Sequence, residues 1–127
     1  MIRRGFGSAF MAGVVVLLAM HALYVLVLLD AKKYELLRLI LLAFPALGAF
    51  LVAYLAPRRK FFSAMSLSLF GATLGVVSMS VYKLAGLYVD LIGGLLEIFV
   101  ILLCYHAVLS CVGGLGGALA ARSRSAR

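Results

Sequence analysis

The stretch LIGGLLEIFVILLCYHAVLSCVGGLGGALAA, residues 91–121, holds one carboxylate (Glu97), one imidazole (His106), two thiols (Cys104, Cys111) and a glycine cluster within an otherwise unbroken apolar run. As one helix its 31 residues measure about 46 Å against a hydrocarbon core of about 30 Å. It is therefore expected to tilt, to break at a glycine pair, or to run past the bilayer. An acid and an imidazole are costly against acyl chains, so they are expected to face protein or a wet cavity. That expectation puts the run at the centre of a bundle.

The rest of the chain agrees with lipid as the solvent. Of its 127 residues 66% are apolar, and the mean hydropathy is +1.20; ordinary soluble domains are about 45–50% apolar. So small a soluble domain would expose large apolar patches. Residues 5–29 carry only His21 as an ionisable group and are too long for the core of a signal peptide, which the basic start at Arg3 and Arg4 would otherwise suggest. Gly5, Ala9 and Gly13 recur every four residues, a ridge on which a second helix packs closely. A short polar connection, residues 30–35, leads to a second span at 36–56. Pro45 there leaves the Leu41 carbonyl without its usual donor and predicts a kink. A third, charge-free span is expected at 61–81, with Gly71 and Gly75 on its small face, and the last run supplies a similar pair in Gly113 and Gly117. The tail, residues 122–127, is expected to be short, basic and unfolded. The fold class is thus all-α: a polytopic four-helix transmembrane bundle built from two antiparallel hairpins, in a single domain.

Twelve cations alternate between the ends of these runs. Arg3, Arg4, Arg58, Arg59, Lys60, Arg122, Arg124 and Arg127, eight in number, fall on one side, and Lys32, Lys33, Arg38 and Lys83, four, on the other. By the positive-inside rule both chain ends face the cytoplasm of a cell (inner) membrane. Arg58, Arg59, Lys60, Arg122 and Arg124 then meet lipid headgroups. Because the charge of +8 is dispersed among span ends, it does not indicate nucleic acid. Partners are expected to be the bilayer and other membrane helices, in a homo-oligomer or a larger complex.

Three intramembrane polar residues stand out: Glu97, His21 and His106. Counted from Asp90 at 1.5 Å per residue, Glu97 lies about 10 Å deep and His106 about 24 Å, while His21 lies about 13 Å from the same side. Glu97 and His21 are thus level and placed to pair, whereas the two histidines are at different depths, against a bis-histidine haem. If the last helix begins later, Glu97 is a boundary acid in the headgroup zone. The cysteines read as small buried apolar side chains. There is no nucleophile with a base, no metal-ligand spacing and no phosphate loop, so neither an enzyme nor a cofactor or metal is expected. Two functions remain: a non-catalytic accessory or assembly subunit docking other helices through its small-residue faces, or a small oligomeric proton- or cation-coupled transporter or channel using Glu97.

Overall fold

The computed structural model describes residues 5–87 and 93–126; Arg3, Arg4, Asp90, Leu91 and Arg127, which entered the sequence reading, lie outside the described residues. Regular structure among the described residues is entirely helical: α1 (Phe6–Leu29), α2 (Glu35–Leu42), α3 (Phe44–Leu55), α4 (Lys60–Leu84) and α5 (Leu95–Ser125). Taken as one kinked element, α2 and α3 join the others to give four helices long and apolar enough to cross a membrane.

The break between α2 and α3 follows from Pro45, which occupies the first turn of α3. Around it the ladder tightens: the Ala46 N–H bonds to the Ala43 carbonyl at 3.1 Å, so the Leu42 carbonyl loses its partner four residues on. The Tyr105 hydroxyl donates to that carbonyl from α5. A backbone group released by a proline must find a partner inside the protein when water is absent, and here a neighbouring helix supplies it. Tyr105→Phe is therefore expected to cost about 0.5–1.5 kcal/mol, and nearly nothing once Pro45→Ala restores the ladder. Denaturation midpoints of the four proteins in mixed micelles check this; an equal loss in both backgrounds would show that the hydroxyl does not serve the kink.

Helix ends depart from the expected boundaries for local reasons. α4 runs past 81 to Leu84 and stops in a Schellman turn: Leu87 N–H bonds to Tyr82 O at 3.0 Å and Gly86 N–H to Lys83 O at 3.1 Å. Gly86 takes the left-handed conformation this turn requires, with φ of 79°. α5 starts at Leu95, not at 91, and stays helical through the glycine cluster to Ser125. The tail expected to be unfolded is thus helical as far as that residue. Ser123 Oγ donates to the Ala120 carbonyl at 2.8 Å, Arg124 Nη1 reaches the Tyr54 hydroxyl at 3.0 Å, and Arg122 and Arg124 suit the negative end of the helix dipole.

In cross-section the bundle is a diamond. α3 and α4 pack on each other, and each also packs on α1 and on α5, whereas α1 and α5 have no close backbone approach among the described residues. The last helix is therefore at an edge and not central. On it only the stripe of Ile98, His106, Ser110, Gly113, Gly114 and Gly117 is buried; Ile101, Cys104 and Val108 are exposed, and Cys111 is half-buried. Cys104 is thus not the buried side chain expected. Along the helices the outward surfaces are largely apolar, with Leu84 89%, Leu96 75% and Phe62 72% exposed.

Glycines set the spacing in the half of the bundle nearest Arg58–Lys60. A Cβ on Gly113 would strike the Ala46 carbonyl oxygen, and one on Gly117 the Phe50 carbonyl oxygen, so α5 lies directly on the α3 backbone. Gly13 meets Gly48 in the same way: a Cβ there would be 2.5 Å from Val52 Cγ2 and 3.2 Å from Gly48 O. Val14, Leu17, Ala49, Val52, Ala53, Ala64 and Leu67 fill the space between. Toward the other end small residues give way to Glu-Leu-Leu-Arg-Leu-Ile-Leu-Leu in α2, which packs on α1 but has no close backbone approach to α4 or α5 among the described residues. The bundle is tight at one end and parted at the other.

Candidate functional site

Where the helices part lies a cavity of about 450 Å³. α1 contributes Met20, His21, Tyr24 and Leu28; α2 contributes Arg38, Leu41 and Leu42; α4 contributes Gly75, Met79 and Tyr82; α5 contributes Leu102, Tyr105 and His106. Two imidazoles, three phenols and a guanidinium thus converge among apolar side chains, and no carboxylate lines the space among the described residues.

Two of the phenols tie neighbouring helices together. The Tyr82 hydroxyl donates to the His21 carbonyl, tying α4 to α1, as Tyr105 ties α5 to Leu42. His106 is only 1% exposed; its ring lies edge-on to Tyr105 and against α4, where a Cβ on Gly71 would be 2.5 Å from its Nδ1. One turn earlier, Leu102 fills the place that a Cβ on Gly75 would need. The Gly71–Gly75 face is thus taken up inside the chain by His106 and Leu102, four residues apart on the facing helix. His21 is half-buried, and its Nε2 is buried with no hydrogen-bond partner among the described residues; Ser110 Oγ on α5 is in the same condition.

The two histidines come together because α5 begins later than its apolar pattern indicates. Measured from Leu95, His106 is about 16 Å along α5, and His21 is about 12 Å back from Leu29 along α1. They therefore lie at similar levels and share one cavity, contrary to the separation read from Asp90. Glu97 does not meet His21. It occupies the exposed first turn of α5 and folds back against Gly93, a favourable place for an acid at a helix N-terminus.

The remaining candidates lie elsewhere. Ala9 and Gly13 are buried on α1, whereas Gly5 is exposed with nothing near it. Pro45 is buried at the kink. Lys60 Nζ donates to the Ala56 carbonyl at 2.5 Å and so caps the end of α3, while Arg58, Arg59, Arg122 and Arg124 are exposed at that same end of the bundle. Sequence reasoning did not select Arg38, Tyr24, Tyr82 or Tyr105 as members of a common site. The available signal was an arginine three residues inside α2, deeper than a span's edge needs. Comparison with protein-family models, with curated proteins and with solved structures gives no match.

Proposed function

We propose that the chain is a multi-pass membrane protein that holds a small amphiphilic molecule between its helices and performs no bond chemistry of its own. The observation that carries this reading is the His21–His106–Arg38 cavity, opened in a bundle that elsewhere packs backbone on backbone. In this reading the four spans form two antiparallel hairpins with Arg58–Lys60 and Arg122–Arg124 toward the cytoplasm, which assigns the cavity to the outer half of the bilayer. The apolar outward surface and the cations gathered at the opposite end support that placement. An accessory role fits this arrangement through the held molecule; the glycine faces are occupied by the chain's own helices and offer little to an external one. Proton- or cation-coupled transport draws no support from Glu97, which is remote from the cavity lining.

Native mass spectrometry of protein released from membranes is expected to show a small-molecule adduct. Met79→Trp, which places an indole in the cavity, removes it, whereas Val77→Trp, on the exposed side of the same helix, retains it. An adduct indifferent to Met79→Trp, or no adduct on the wild-type chain, would overturn the reading.

A further inference from the structure

The cavity is polar at one end and apolar at the other. Counted along each helix from the end of the bundle where the helices part, Arg38 stands about 5 Å inside α2, whereas Met20 lies about 14 Å back from Leu29 and Gly75 about 14 Å back from Leu84. The guanidinium is thus near the mouth, and the depth is lined by Met20, Leu41, Met79 and Leu102.

Most of the other polar groups in the lining are not free to meet a guest. The hydroxyls of Tyr82 and Tyr105 already donate to backbone carbonyls. The imidazoles belong to the wall: His21 Nε2 is buried, and His106 is 1% exposed and packed on α4 at Gly71. Leu102 covers Gly75. Arg38 remains, a half-buried side chain with five N–H donors that enters a space no carboxylate lines among the described residues. A planar guanidinium in that position suits one carboxylate or phosphate, held by two parallel hydrogen bonds.

Size and access fix the remainder of the guest. About 450 Å³ corresponds to roughly fifteen water-sized groups at about 30 Å³ each, the bulk of one long hydrocarbon chain. A compact polar solute would leave its buried groups without partners in so apolar a lining. Between α2 and α5 there is no close backbone approach among the described residues, so a chain can pass sideways from lipid into the space. The thioethers of Met20 and Met79 adapt to such a chain without a fixed shape of their own.

We propose that the cavity holds a single hydrocarbon chain that ends in one anionic group, with the anion at Arg38 and the chain lying inward along Met20, Met79 and Leu102. This rests on the ligand-holding reading above and names the ligand class.

Electron spin resonance of a stearate spin-labelled on its chain, added to the full chain in phosphatidylcholine nanodiscs, tests it. The site signal is the immobilised component that Met79→Trp abolishes and Val77→Trp retains. A single label per chain is expected. The methyl ester, with the same chain and no charge, is expected to bind about tenfold more weakly. Arg38→Gln removes this preference and leaves binding of the ester unchanged, which shows the cavity intact; Arg38→Lys, which keeps the charge but not the fork, retains part of it. Phosphatidylglycerol identifies the source of the anion. If it displaces the labelled stearate, the guest is a phospholipid that inserts one chain; if it does not, the guest is a free fatty acid, and the proposed chemistry holds in both cases. Equal binding of stearate and ester by the wild type, or a preference unchanged in Arg38→Gln, overturns the proposal. If that preference is absent while Met79→Trp still strips a co-purifying adduct, the anionic chain falls and ligand holding stands; if neither is seen, both fall.

Discussion

Gly113→Ala is expected to lower the stability of the bundle by at least about 3 kcal/mol, whereas Gly116→Ala, three residues further along the same helix, raises it by up to about 1 kcal/mol. The substitutions are chemically identical and differ only in what the added methyl meets. At Gly113 it falls on the Ala46 carbonyl oxygen, with Ala46 C at 2.8 Å, and a backbone carbonyl within a helix has no alternative rotamer. α3 and α5 must separate, and the loss extends to Gly117, whose Cβ would meet the Phe50 carbonyl in the same way. At Gly116 the nearest atom is Phe50 Cδ2 at 3.5 Å, an ordinary contact, and alanine then contributes only its better helix propensity. Unfolding of the three proteins in mixed detergent micelles, followed by circular dichroism, reads both signs. Equal midpoints would mean that α3 and α5 do not meet backbone to backbone.

The second large effect is expected at Gly71, where alanine puts a methyl 2.5 Å from His106 Nδ1 and 2.7 Å from Cε1. A ring only 1% exposed has no free space to turn into, so Gly71→Ala is expected to cost about 1–3 kcal/mol. His106→Ala removes the obstruction but leaves a void, and alone costs on the order of 3 kcal/mol. Together the two are expected to cost less than their sum by about 0.5–3 kcal/mol, because the new methyl occupies space that the ring has left. A double-mutant cycle on thermal melts measures that coupling. Strict additivity would place the His106 ring somewhere other than against Gly71.

Much of the architecture was legible from residue order. Four apolar helices and Pro45 as the break in the second follow from the hydropathy of each run and from the backbone donor that proline lacks. Gly13, Gly71, Gly75, Gly113 and Gly117 were recognisable as positions of close approach, and all are occupied by neighbouring helices. Their partners were not recognisable. Gly13 against Gly48, and Gly113 against the Ala46 carbonyl, are pairings between distant segments, and composition gives each helix several equivalent small faces.

The site was the least legible part. In a helix that is apolar on every side, periodicity does not distinguish the inward stripe, so the face bearing Glu97, Cys104 and Val108 was as plausible as the one bearing His106 and Ser110. Packing on α3 and α4 selected the second. The start of α5 mattered equally. Beginning at Leu95, it puts His106 about 8 Å nearer its helix end than a count from Asp90 does, and this brings it level with His21.

The sequence by itself determined that the protein is a set of four long apolar helices with a proline break and with its cations concentrated at one end, because local hydrogen bonding and hydropathy are properties of each segment taken alone. Only the tertiary structure decided that α5 lies at an edge, that the small faces are satisfied internally, and that His21, His106, Arg38 and three tyrosines share a cavity. Those outcomes depend on which backbones can approach within a glycine's reach, a condition set jointly by segments far apart in the chain.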